Sequence, residues 1–399
     1  MHQTDVAIVG GGLAGSTCAA MLGRAGIDAV LIDPHTAYPP DFRCEKLDAS
    51  QTRLLRKTGL AEAILPLATP NEDVWIVRSG RLAERKRIKQ FDILYDTLVN
   101  AVRAEIPATV RRLTAKVQTA SSGPDRQTVT LSDGATISAR LIVLANGLNI
   151  GVRHALGLDR QVVSAAHSIS IGFDVMPCGR PHFPFPALTV FPEHPTDQMA
   201  YLTLFPMNGG MRANFFVYRD PRDLWLRDMR QSPRETLIAT LPRLAAFLGD
   251  FEVTGDVKIR PVDLYVTRGH RQPGFVAVGD AFATSCPAAG TGVNKVLTDV
   301  ERLCNVHIPR WLATPGMGEA KISAFYDDPV KVACDAHSAA KAHHLRSLSI
   351  EPGMPWRARR WGRSVARLGV GFVRDARETW PLRWPDRQRT ADAGSGSGL

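Results

Sequence analysis

Apolar positions along the chain fall into two textures. Continuous apolar runs mark strands buried on both faces: residues 5–9 (Asp5-Val6-Ala7-Ile8-Val9), 29–32, 140–144 and 275–278. After the first run, residues 16–25 read as a helix rich in good formers such as Ala19, Ala20 and Leu22, stopped by Gly26. The second run ends in Asp33, the third in the turn Asn146-Gly147, and the fourth in Gly279-Asp280. An irregular loop through Pro287, Gly290 and Gly292 follows, and residues 292–303 read as a helix.

Between about residues 160 and 275 the pattern changes to alternation. Residues 168–173, 187–191, 201–205, 211–218 and 256–267 predict antiparallel strands, with a hairpin signal at Asn208-Gly209. These strands and their flanks carry Phe173, Phe185, Phe191, Tyr201, Phe205, Phe215 and Phe216, which predict either a cavity lining or ordinary sheet core. Residues 310–350 read as helical, and Pro352 and Pro355 interrupt them. Trp361, Val365, Leu368 and Phe372 then form an apolar stripe beside Arg360, Arg363, Arg367 and Arg374. Such a helix either lies on an anionic membrane surface or caps the protein's own core.

Composition narrows the class. The 399 residues are 44% hydrophobic and 22% charged, as in ordinary globular proteins, with length for two domains or one large composite. No apolar run reaches the length of a membrane span. The N-terminus is read as lacking an export signal, because Asp5 leads straight into the glycine-rich turn, so a cytoplasmic location with reduced thiols is expected. The six cysteines (Cys18, Cys44, Cys178, Cys286, Cys304, Cys334) form no zinc spacing, and His343-His344 lacks a ligand partner, so no metal is expected. The net charge of +10 is concentrated at residues 356–389, which hold ten arginines against three acids. That argues for a local anionic partner, such as a membrane surface, rather than a nucleic acid. Residues 391–399 read as a flexible tail or tag scar.

The first chemistry lies at Gly10, Gly12 and Gly15, a G-x-G-x-x-G between strand and helix. Gly10 allows the tight turn, Gly12 lets backbone approach a pyrophosphate, and Gly15 lets helix and strand pack closely. Leu13 and Ala14 fall inside the motif, ahead of the helix, whose N-terminus offers free N–H groups and a positive dipole end to phosphates. Asp33 stands where a carboxylate accepts hydrogen bonds from a ribose. The unit predicts dinucleotide binding without separating FAD from NAD. The second chemistry is at Asp280, a carboxylate at a strand end suited to a polyol. The helix beginning Gly292-Val293-Asn294 presents its positive end to whatever lies above it.

These residues resemble the p-hydroxybenzoate hydroxylase-like family of FAD-dependent aromatic hydroxylases. Gly279, Asp280, Pro287, Gly290, Gly292, Asn294 and Asp299 fall on its second FAD motif, with Ala283 where the family has a histidine. Arg43 sits where the family places an arginine reaching the FAD phosphates; the alternative is a solvated surface arginine. Asn146-Gly147 followed by Val152-Arg153-His154-Ala155-Leu156-Gly157 is similar to the family's third motif, with Asn146 replacing an acid. Val117 is carried over as a backbone contact to adenine. Cys286, beside the proline, reads as a packing residue rather than a redox thiol.

The resemblance implies a mixed α/β (α+β) architecture. A Rossmann-like FAD-binding part at 1–160 carries small inserted strands at about 70–110. A substrate domain, mostly antiparallel sheet, occupies 161–273. The second FAD-binding part follows at 274–310, then a helical basic region at 311–390. It also implies a monooxygenase that inserts one atom of O2 into an apolar or aromatic small molecule through a flavin C4a-hydroperoxide, with NADPH or NADH as donor. The absence of a Trp-x-Trp-x-Ile-Pro segment disfavours the flavin halogenases that share the fold. Two alternatives stay open: a reductase of the geranylgeranyl-reductase type, which Cys44-Glu45 faintly resembles, and a non-catalytic flavin protein. No side chain is assigned a catalytic role.

Overall fold

The computed structural model describes residues 2–360 and 362, apart from 124, 208 and 209. The apolar stripe from Trp361 to Phe372 and the Asn208-Gly209 turn lie outside the described residues. No described helix is long and apolar enough to cross a membrane.

The strands in chain order are β1 (His2–Val9), β2 (Ala29–Asp33), β3 (Cys44–Leu47), β4 (Thr69–Arg78), β5 (Arg81–Leu94), β6 (Arg111–Thr114), β7 (Val117–Ser121) and β8 (Gln127–Leu131). They continue with β9 (Thr136–Leu144), β10 (Asp159–Pro177), β11 (Leu188–Val190), β12 (Met199–Met207), β13 (Gly210–Val217), β14 (Phe251–Arg268) and β15 (Phe275–Ala277).

Two sheets result. The first runs β6-β2-β1-β9-β8-β7, with β15 also on β9; β6, β2, β1, β9 and β15 are parallel, and β8 and β7 antiparallel. The apolar runs read from the sequence are its central strands. Val6, Ala7, Ile8, Val30, Ile142 and Val143 are all fully buried, as expected for strands covered on both faces. The helix Leu13–Arg24 covers one face through Cys18, Ala19 and Leu22. It starts three residues before the expected position, because Gly12 rather than Gly15 is the N-cap.

The second sheet runs β14-β10-β13-β12-β11-β4-β5-β3, antiparallel except where β11 meets β4. The strands expected as a small insert near residues 70–110 thus continue the same sheet as the later alternating strands. Alternation sorts the aromatics by face. Phe173 and Phe215 point into a core with Leu226, Met229 and Leu237 from the helices Leu224–Gln231 and Pro233–Thr240. Tyr201, Phe205 and Phe216 point the other way, toward the first sheet's glycine-rich loops.

The expected helical stretch at 310–350 is broken into Ile308–Leu312, Glu319–Tyr326 and Pro329–Ile350. Thr314-Pro315-Gly316 stops the first. Asp328 caps the last by accepting from Val330 N and Lys331 N, with Pro329 as its first residue.

Candidate active site

The glycine fingerprint is built as a close-packed corner. Gly10 has φ +104°, and a Cβ on Gly15 would stand 1.8 Å from Gly10 O. Nothing lies within 4 Å of a Cβ added at Gly12, so that position is open. No side chain caps the helix that starts after it, which leaves Leu13, Ala14 and Gly15 at its first turn. The Asp33 carboxylate accepts from Gly11 N at 2.7 Å and from His35 N at 2.9 Å. Arg103, buried and 92 positions further on than Gly11, pairs with Asp33 at 3.1 Å and donates twice to Gly11 O, at 2.9 and 2.6 Å. Asp33 is therefore held by the protein itself, and Arg103 is a site residue that no local signal announced.

The turn Asn146-Gly147 lies against Gly10, whose Cβ would meet Asn146 Cα at 2.8 Å. Asn146 Nδ2 donates to Asn149 O at 2.9 Å, while its buried Oδ1 has no hydrogen-bond partner among the described residues. Arg153, fully buried, donates to Ala281 O at 2.8 Å and Tyr265 OH at 3.2 Å, and its Nη2 likewise has no partner among the described residues. Tyr265 OH donates to Asp280 O at 2.6 Å, which ties this turn to the Gly-Asp loop.

Ala283 takes part through its backbone: Ala283 O accepts from Lys295 Nζ at 2.9 Å. Behind it lies a buried ion network. Lys331 Nζ stands 2.7 Å from Asp299 Oδ1 and 3.1 Å from Asp335, and Asp299 Oδ2 accepts from Gly279 N at 2.9 Å. The Gly-Asp turn is thus anchored to the helix Pro329–Ile350. No side chain caps the helix Gly292–Arg302, and Asn294 donates to Ser50 Oγ at 2.9 Å. Cys286 is fully buried, 3.5 Å from Ser168 Oγ, in keeping with a packing role.

The two sheets meet at a cavity of about 380 Å³. One wall holds Asp280, Pro287, Gly290, Gly292 and Val293; the other is the second sheet's face, with Phe191, Tyr201, Phe205 and Phe216. Tyr201 OH donates to Ala288 O at 2.6 Å, so the wall and the proline loop are pinned together. Arg43 is half-buried rather than a solvated surface residue: it pairs with Asp41 at 2.8 Å and stacks 3.7 Å above the Tyr95 ring. Burial pushes the carboxyls of Glu45 and Asp280 up, with Arg43 opposing it at both. Val117, at the start of β7, belongs to the first sheet and does not line this cavity.

A larger cavity of about 750 Å³ adjoins the first and shares Cys44 with it, but does not touch the Gly-Asp loop. Asp92 lines it and accepts from Asn71 Nδ2 at 2.9 Å and Gln90 Nε2 at 3.2 Å. Burial pushes the Asp92 carboxyl up to about 6 from an ordinary 3.8, against the pull of those amides and Lys46. The folded chain therefore holds an extra proton between about pH 4 and pH 6, and the stability this carries is lost as pH rises through that window. The shift is worth at most about 3 kcal/mol. Urea unfolding of Asp92→Asn is expected to show a flatter slope between about pH 4 and 6 and higher stability at pH 7. An unchanged slope would contradict this origin.

Comparison with known proteins agrees with this geometry. The family model described as "FAD binding domain" matches residues 3–308, well over half of the chain. A ubiquinone hydroxylase of Rhodospirillum rubrum is 27% identical over 74% of this chain and 70% of its own length. The 3-demethoxyubiquinol 3-hydroxylase of Escherichia coli is 26% identical over 76% of this chain and 80% of its own. The p-nitrophenol 4-monooxygenase of Pseudomonas putida superposes with a TM-score of 0.74 at 17% identity, over 93% of this chain and 95% of its own; this likeness speaks to the fold. The reductase alternative is not favoured by these relatives. The chain belongs to the FAD-binding-domain family and is an FAD-dependent oxidoreductase of the hydroxylase (monooxygenase) kind.

Proposed function

We propose that the chain hydroxylates a small aromatic molecule held in the cavity between the two sheets, with NADPH or NADH as electron donor. The mixed lining of that cavity carries the reading. One wall offers the Gly-Asp loop and an uncapped helix N-terminus; the other is aromatic, interrupted by Thr189, Thr203 and Ser170. Its volume suits a single-ring substrate beside a cofactor edge.

The residues fit FAD. The uncapped helix after Gly12 and the open space at that glycine suit a pyrophosphate, with Arg43 as a second phosphate ligand. Asp33 and Val117 would bound the adenosine end, and Asp280 the ribityl chain. Asn146 Oδ1 and Gly147 would offer the orphaned acceptor and a backbone contact near the same chain. Pro287, Gly290, Gly292, Val293 and Asn294 would face the flavin edge, where the helix dipole favours negative charge. Bound and reduced, FAD supplies the activation of O2. The protein's part is to orient the ring against Phe205 and Phe216, to exclude water, and to hold the ring's polar substituents at Thr203 and Ser170.

Incubation of the FAD-loaded chain with NADPH or NADH, simple phenols and 18O2 tests this. One labelled oxygen per hydroxylated product is expected; product formed without oxygen, or without label, would sink it. Phe205→Ala is expected to raise KM about tenfold, as loss of about 1.4 kcal/mol of ring contact would give. FAD content and kcat should change little, which flavin absorbance and steady-state kinetics would report.

A further inference from the structure

The outer cavity is a built site that hydroxylation of a ring in the inner one does not use. Its walls mix apolar and polar groups: Phe183 and Phe185 stack at 5.4 Å beside Leu67, Leu94, Met207 and Met211, and Thr69, Thr97 and His182 also line it. Into this surface opens one acid, Asp92, only 3% exposed. Its hydrogen bonds come from two neutral amides, and it belongs to no ion pair among the described residues. Lys46 lies opposite it in the β3/β5 register, but is exposed and makes no such pair.

The amides that hold Asp92 are themselves incomplete. Asn71 and Gln90 are 3% and 2% exposed, and Asn71 Oδ1 and Gln90 Oε1 have no hydrogen-bond partner among the described residues. Gln90 lines the inner cavity and Asp92 the outer one, so this cluster forms the partition between them. Of the three, Asp92 is the one that lines the outer cavity of about 750 Å³, and it does so as a buried carboxylate without an ion partner among the described residues. A buried carboxylate without an ion partner is costly, and a ligand that brings a charged donor relieves the cost.

We propose that the outer cavity binds an apolar, aromatic molecule bearing an amino group, whose ammonium hydrogen-bonds to Asp92. The aromatic part stacks among Phe183, Phe185 and the methionines. A carboxylate such as Asp92 rejects an acid of the same shape and prefers an amine over an alcohol. This assignment stands apart from the hydroxylation reading, because its test measures binding alone.

The test is calorimetric titration of the full-length, FAD-loaded protein with 4-phenylbutylamine and, separately, 4-phenylbutan-1-ol. Wild type is expected to prefer the amine by about tenfold or more, the scale of one charge-assisted hydrogen bond. Asp92→Asn should bring the two probes to within about threefold of each other, while FAD absorbance shows that the fold persists. Met207→Trp, which fills the cavity from its half-buried rim, should abolish binding of both. Equal affinity of the probes for wild type overturns the proposal, as does an amine preference that survives either substitution.

Discussion

Gly15→Ala is expected to yield a chain that neither holds FAD nor reaches wild-type stability. The added Cβ would stand 1.8 Å from Gly10 O and 3.2 Å from the Ala145 Cβ, so strand, turn and helix cannot all keep their places. Overpacking of this kind costs about 3 kcal/mol or more when the obstacle is backbone. Gly12→Ala is the control. Its Cβ meets no protein atom within 4 Å, so the apoprotein should unfold at the wild-type denaturant concentration. FAD affinity should nevertheless fall at least about tenfold, because the methyl occupies space left for a phosphate. Denaturant unfolding of apoprotein and flavin retention on gel filtration separate the two effects. Equal destabilisation by both substitutions would contradict the packing argument.

The second large effect is expected at Lys331. Its side chain is 1% exposed, as is that of Asp299, and the pair stands 2.7 Å apart. Removing one partner of a buried pair leaves an uncompensated charge and costs about 3–5 kcal/mol. Lys331→Met should therefore be strongly destabilised. Because Asp299 also receives Gly279 N, the Gly-Asp turn loosens and FAD release should quicken. The double variant Lys331→Met, Asp299→Leu should recover part of the stability, since the two buried charges leave together and Asp335 keeps Lys295 at 3.2 Å. It should not recover FAD affinity, because Asp299→Leu takes away the acceptor of Gly279 N. A double variant no more stable than Lys331→Met would show that packing, not charge, dominates there.

Much of the fold was legible from local pattern. β1, the helix after Gly12 and β2 form one continuous unit of chain, and their order is dictated by neighbours in sequence. The same holds for β15 and the Gly-Asp loop. Helix ends were less legible: the stretch after residue 310 looks continuous by apolar spacing, yet Thr314-Pro315-Gly316 and the Asp328-Pro329 cap divide it. The strands near residues 70–110 read as a separate insert, because nothing local shows that β4 pairs with β11 across more than a hundred residues.

The cavity shows the same division. Its loop wall could be read residue by residue, but the aromatics could not be assigned to core or cavity. Register alone turns Phe215 inward and Phe216 toward the cavity, and a one-residue slip would exchange them.

By itself, then, the sequence determined a dinucleotide-binding unit and its two glycine loops, because turns that need glycine and strands buried on both faces leave short-range marks; that the dinucleotide is FAD followed from the resemblance those loops carry. The tertiary structure decided what supports those loops. Arg103 reaches Gly11, Lys331 reaches Asp299, and Asn71 reaches Asp92, each pairing a polar group with one far away in the chain or across a sheet. Such pairs carry no periodicity. Only the folded chain, which excludes water and leaves each buried group one place to find a partner, determines them.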